Sequence, residues 1–211
     1  MYLEQNLNST IKELLLPFQH RLTFDTKWFG ITTQKNPLDF WVYQEMLFDQ
    51  RPDVLIEIGN YYGGSTLALA HLMDLLGHGQ IIAVDIDHSK IDPLARAHPR
   101  ISWIEKDAPL AIDQVQALIN PTDRVMIIDD SAHDYLKTLE ILDAYNPLVK
   151  IGDYFVVEDG ICHHGIPVGP MPGPYEAIKQ FLKKNTNWES DRSKESWVLT
   201  YNPRGFLRRV A

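Results

Sequence analysis

The chain has 211 residues, 45% of them apolar, which suits one globular domain with a full core and leaves too little for two large ones. Its 28 acidic against 20 basic residues give a formal charge of −8, and apart from the terminal "PRGFLRR" the basic residues are scattered, which argues against nucleic acid or an anionic membrane as partner. The single cysteine, Cys162, excludes an internal disulfide, no apolar run approaches the roughly 20 residues that span a bilayer, and "MYLEQNLNST" does not read as a signal, so a soluble, cytoplasmic protein is expected.

Two helices come first. Leu3, Leu7, Ile11, Leu14, Leu15 and Phe18 share one stripe, and a second helix is expected to start at Pro37 after an Asn36 cap. The first helix either packs on its own domain or joins subunits. Residues 1–50 are accordingly read as a helical extension ahead of a main domain at 51–211.

Strands are expected at 53–58 ("DVLIEI"), 80–85 ("QIIAVD"), 101–105 ("ISWIE"), 124–129 ("RVMIID") and 153–158 ("DYFVVE"). Between them lie helical patterns, "GGSTLALAHLMDLL", "SKIDPLARAH", "APLAIDQVQALI" and "HDYLKTLEILDAYNPLV". Alternation of this kind predicts right-handed βαβ units and a parallel sheet covered on both faces. After a helix from Pro174, "ESWVLTYNPRGFLRRV" reads as two strands joined by the turn "NPRG". The predicted fold is therefore α/β: a Rossmann-like, seven-stranded, mostly parallel sheet ending in an antiparallel hairpin, the class I methyltransferase variant of the doubly wound fold.

The first strand runs into "VLIEIGNYYGGSTLALA", where Gly59, Gly63 and Gly64 can turn the chain close to a ligand at a helix N-terminus. The spacing is not the G-x-G-x-x-G of a pyrophosphate loop. Glu57, an acid in an apolar strand, suits the amine of an amino-acid-bearing cofactor such as S-adenosylmethionine, or is satisfied by neighbouring backbone. Asp85 lies where open α/β folds accept ribose hydroxyls. Asp107 either receives an adenine amino group or caps the helix starting near Ala108.

Two further strand tips carry acids: Asp129 and Asp130 in "VMIIDDSAHDYL", and Glu158 and Asp159 in "FVVEDG". Unit charges about 4 Å apart repel by roughly 4 kcal/mol at an effective dielectric near 20. A hard divalent ion, Mg²⁺ or Mn²⁺, relieves that repulsion; simple capping by Asp130 or Asp159 is the alternative. His133, three residues after Asp130, is the candidate general base. His163 and His164, being adjacent, should point apart, and the glycine- and proline-rich loop that holds them reads as a lid or substrate wall. Trp28 and Trp41 are candidates for the acceptor pocket.

The stretches "KWFGITTQKNPLDFWVYQEMLFDQRPDVLIEIGNYYGGS", "IIDDSAHDYLKTLEIL", "GDYFVVEDG" and "DRSKESWVLTYNPRGFLRRV" together resemble the cephalosporin hydroxylase family. Its members resemble class I S-adenosylmethionine-dependent O-methyltransferases of the cephamycin-biosynthesis type, with relatives acting on sugars and other secondary metabolites. The resemblance implies Mg²⁺ on Asp130, Glu158 and Asp159, and a cofactor site lined by Glu57, Gly59, Gly64, Ser65 and Asp85, with homo-oligomers common. In the similar catechol O-methyltransferases a lysine base stands three residues after the strand-four aspartate; here that position is His133. The expected function is Mg²⁺-dependent methyl transfer to a small-molecule hydroxyl. An NAD-dependent oxidoreductase, a non-haem iron hydroxylase and a non-catalytic cofactor-binding scaffold are the rivals.

Overall fold

A computed structural model describes residues 8–211. Helix α1 (Ile11–Asp25) opens with a reciprocal cap: the Thr10 hydroxyl accepts from the Glu13 N–H, and the Glu13 carboxylate accepts from the Thr10 N–H. Its Leu15 and Leu22 turn inward onto Ile161, Ile166 and Tyr201, so the helix packs on its own domain. Ile11, Leu16 and Phe24 stay exposed; Leu3 and Leu7 lie outside the described residues. A two-residue pair, β1 (Lys27–Trp28) and β2 (Ile31–Thr32), leads to α2 (Pro37–Gln50). As expected, Asn36 caps α2 by accepting from the Leu38 N–H at 3.1 Å. Val42, Tyr43, Met46 and Leu47 of α2 are buried in the core against the sheet.

The sheet then alternates with helices: β3 (Val54–Ile58), α3 (Gly64–Leu76), β4 (Gln80–Asp85), α4 (Pro93–Arg96), β5 (Ile101–Glu105), α5 (Ala108–Gln116), β6 (Val125–Asp129), α6 (Tyr135–Tyr145), β7 (Tyr154–Val157), α7 (Pro174–Lys184), β8 (Trp188–Ser190) and β9 (Phe206–Arg209). The spatial order is β5-β4-β3-β6-β7-β9-β8, with the first five parallel and the last two antiparallel. Residues of α2 and α3 cover one face, and those of α5, α6 and α7 the other. Coverage on both faces explains why β3, apart from Glu57, and β6, up to Asp129, read as apolar runs rather than alternating ones. No helix among the described residues is long and apolar enough to cross a membrane.

Two expectations need correction. The segment "SKIDPLARAH" yields only the single turn of α4, capped by Asp92. The terminal hairpin is real, but its first strand is Trp188–Ser190, not the run before "NPRG". That run is held elsewhere: Asp39 of α2 accepts from the Thr200 hydroxyl at 2.6 Å and from the Tyr201 N–H at 2.8 Å. Tertiary bonds to a buried acid thus outweigh the strand preference of "WVLTY".

Candidate active site

Strand register decides what meets what. Ile58 lies level with Val84 on one side and Asp129 on the other, and Asp129 lies level with Val157. The next residues, Gly59, Asp85, Asp130 and Glu158, therefore emerge side by side at the carboxyl ends of four adjacent strands. The sheet order reverses between β3 and β6, which is where open α/β sheets bind ligands. A cleft of about 490 Å³ opens there, and Gly59, Ser65, Asp85, Asp107, Asp130 and His133 are among its lining residues.

Gly59 has φ +88°, and a Cβ on it would stand 2.0 Å from the Asp130 carbonyl oxygen, so only glycine lets the β3 and β6 tips touch. The following turn is held by Asp85, whose Oδ2 accepts from the Asn60 N–H at 2.6 Å and the Tyr61 N–H at 3.1 Å. Gly63, also at positive φ, starts α3 without a side-chain cap, which leaves that helix's first amides to a ligand. Gly64 lies outside the cleft wall; a Cβ there would meet the Thr32 carbonyl oxygen at 2.4 Å, so it seats α3 against β2.

Glu57 sits beneath the cleft floor, fully buried. The Thr66 hydroxyl and the Asn60 amide donate to its Oε2, while Oε1 has no hydrogen-bond partner among the described residues. Burial raises its pKa, against the opposing pull of the Lys35 charge and the Thr66 hydroxyl. Asp107 does not cap α5 with its side chain; instead the Lys137 ammonium reaches both its oxygens, at 3.1 and 3.3 Å.

At the other end of the cleft, one ligand atom each from Asp130, His133 and Asp159 lies within 4.8 Å of the others. His133 Nε2 stands 3.3 Å from Asp159 Oδ2 and 3.8 Å from Asp130 Oδ1. Both His133 and Asp159 hold left-handed φ, +56° and +57°, as do Gln34 and Tyr61 around the same cleft. Non-glycine residues at positive φ are uncommon and gather where function fixes the backbone.

Glu158 is drawn to the far side of Asp130. Its Oε1 accepts from Lys35 Nζ at 2.6 Å and from the Tyr43 hydroxyl at 2.8 Å, and Lys35 Nζ also lies 2.6 Å from Asp130 Oδ2. Burial, then the Asp130 charge, pushes Glu158 well above the usual carboxylate range; burial also raises Asp159. Burial alone would lower the Lys35 pKa, but Asp130, Glu158 and Glu57 together outweigh it and hold the ammonium charged. Asp129 leaves the strand on the opposite face: it is buried, accepts from the Ser131 hydroxyl at 2.6 Å, and burial raises it to about 6. The paired aspartates thus divide, Asp130 toward the cleft and Asp129 into the interior.

Lys35, Tyr43 and Asn202 escaped the sequence reading. Lys35 carried no signal beyond its place before the α2 cap, and Asn202 read only as a turn residue. Trp41 faces solvent and bonds Glu45, while Trp28 donates to His71 Nδ1 and packs beside α3, so neither tryptophan lines the cleft. His163 and His164 do point to different partners, the Gly169 carbonyl and Glu176.

The sheet order, the antiparallel end and the acid-ringed cleft define a class I methyltransferase fold. The sequence model of the rhamnosyl O-methyltransferase/CmcI family matches residues 20–210, and the chain belongs to that family. Rhamnosyl O-methyltransferases of Mycobacterium tuberculosis and Mycobacterium leprae are 36% and 37% identical to it, each over 87% of this chain and over 78% and 83% of their own lengths. A CmcI structure with Mg and SAM superposes with a TM-score of 0.71 at 28% identity, covering 88% of this chain and 77% of that one. An O-methyltransferase from Bacillus cereus in complex with SAH shares the fold, with a TM-score of 0.56 at 15% identity over 89% and 86% of the two chains.

Proposed function

We propose that the chain is a Mg²⁺-dependent O-methyltransferase that moves the methyl group of S-adenosylmethionine to a hydroxyl of a sugar or related small molecule. The observation that carries this reading is the joining of two half-sites in one cleft. Gly59, Ser65 and Asp85 form the first, and Asp130 with His133 beside Asp159 the second. Family membership and the relatives' O-methyltransferase names support it.

The residues fit both groups. Asp130, Glu158 and Asp159 carry three negative charges when ionised and Lys35 one positive, leaving −2, which one divalent ion balances. Burial disfavours Glu158 and Asp159 as anions, and that is the cost a cation would remove. The orphaned Glu57 Oε1 below the floor supplies negative potential for an ammonium group.

A divalent ion bound by these carboxylates would acidify a hydroxyl that touches it, and S-adenosylmethionine supplies the electrophilic methyl. The chain's own residues do the rest. The α3 amides and Glu57 receive the amino-acid end of the cofactor, Asp85 its ribose hydroxyls, and Asp107 its adenine amino group. Because the hard ion prefers oxygen, the imidazole of His133 is left to take the acceptor's proton at Nε2. Holding acceptor and cofactor in line provides most of the rate.

Asp130→Ala should abolish metal-dependent turnover while leaving affinity for S-adenosylhomocysteine nearly intact; turnover unchanged by EDTA would sink the metal claim. The nicotinamide and iron rivals find no support in the family match or the antiparallel β9–β8 end. Homo-oligomers built through the exposed apolar side of α1 belong to the same proposal, and light scattering of an Ile11→Lys/Leu16→Lys variant tests them.

A further inference from the structure

Lys35 is 4% exposed, and its ammonium is clasped by two of the proposed metal ligands, 2.6 Å from Asp130 Oδ2 and 2.6 Å from Glu158 Oε1. A buried lysine lying between acids 95 and 123 positions away is a built contact, not a chance surface pair. We propose that Lys35 is a tethered cation that competes with the metal ion for Asp130 and Glu158 and thereby sets both the affinity and the charge selectivity of the site. The proposal rests on the metal-dependent reading above.

Charge and anchoring both support it. With Lys35 in place the three acids amount to −2, matched to a divalent ion; without it they amount to −3, matched to a trivalent one. The backbone beside Lys35 is fixed. Asn36 caps α2 at Leu38 and donates to Asp39 Oδ2 at 2.7 Å, and Gln34 is locked at φ +55°. The ammonium therefore reaches the acids on its flexible four-carbon stem and can withdraw without moving the fold. Thr33 and Gln34 line the cleft, so the withdrawn ammonium has polar space to enter.

The test compares Lys35→Met, Lys35→Gln, Lys35→Arg, Asp130→Ala and the unaltered protein. Mg²⁺ affinity is read by calorimetry and Tb³⁺ affinity by luminescence, both without cofactor or acceptor. An ammonium about 5 Å from a divalent ion opposes it enough, even at the dielectric of water, that Lys35→Met and Lys35→Gln should bind Mg²⁺ about tenfold tighter. Tb³⁺ should gain more than Mg²⁺, and Lys35→Arg should stay close to the unaltered protein. Equal or weaker Mg²⁺ binding by whichever of the two neutral variants folds would overturn the competition. Mg²⁺ binding that Asp130→Ala leaves intact, or none by the unaltered protein, would overturn the metal reading along with it.

Discussion

Asn202 holds Tyr43: the buried amide Nδ2 donates to the Tyr43 hydroxyl at 2.8 Å. That hydroxyl in turn donates to Glu158 Oε1, while Asn202 Oδ1 accepts from the Asp159 N–H at 3.2 Å. One side chain on the approach to β9 therefore fixes two consecutive acids, the first through a tyrosine and the second through its backbone. The second grip matters because Asp159 sits at left-handed φ, which an unsupported aspartate would readily leave.

Asn202→Ala leaves the buried Tyr43 hydroxyl without its donor and the part-buried Asp159 N–H without an acceptor. Unfolding in urea should show a loss of about 1–3 kcal/mol. The Mg²⁺ concentration needed for half-maximal turnover should rise, with S-adenosylhomocysteine affinity unchanged because neither contact of Asn202 reaches Gly59, Ser65 or Asp85. Equal loss of both affinities would show that the clamp supports the whole cleft and not the acids.

Glu57→Gln keeps an acceptor for Thr66 and Asn60 but removes the charge beneath the cleft floor. If that charge receives the cofactor's ammonium, calorimetric affinity for S-adenosylhomocysteine should fall at least about tenfold, in keeping with the roughly 1.5–3 kcal/mol of a hydrogen bond to a charged group. Adenosine, which lacks the amino-acid end, should bind both proteins alike. A matching loss for adenosine would place the effect in the loop geometry instead.

Asp129 makes stability depend on pH. Burial raises its folded pKa to about 6 from an ordinary 3.8, so the folded chain holds the proton more tightly than the unfolded one. Its contribution is complete below about pH 4 and is lost as pH rises through 6. The two-unit shift corresponds to about 3 kcal/mol. Asp129→Asn, which still accepts from Ser131, removes this dependence. It should match the unaltered protein near pH 4 and exceed it near pH 8 in denaturant titrations at the two pH values. A constant offset at both would assign the difference to packing.

What the sequence made legible follows from the range of the forces involved. β4, β5 and α7 have the bounds expected of them, since short β-branched and apolar stretches and the Pro174 start are local signals. The acids at the strand tips were legible too, because a parallel sheet sends all its carboxyl ends to one edge. Lys35, Tyr43 and Asn202 were not, since their partners lie 43 to 159 positions away and nothing local marks them. The misplaced first strand of the hairpin has the same origin: Asp39 captures Thr200 and Tyr201 across 161 and 162 positions.

We propose His133 as the group that takes the acceptor's proton. Its imidazole is half-exposed at the cleft, 3.3 Å from Asp159, with φ +56°. Alanine would both remove the ring and strain the backbone, whereas asparagine adopts the left-handed region readily and keeps a polar side chain. His133→Asn is therefore the cleaner probe. If Nε2 takes the acceptor's proton, kcat should fall by roughly 10²–10⁴, the range of general-base catalysis, with KM for S-adenosylmethionine little changed. An imidazole must be neutral to accept a proton, so the rate of the unaltered enzyme should decline in acid and that of the variant should not. Retention of that decline, with Mg²⁺ affinity weakened instead, would make His133 a ligand of the ion and leave the proton to the acceptor's own solvent.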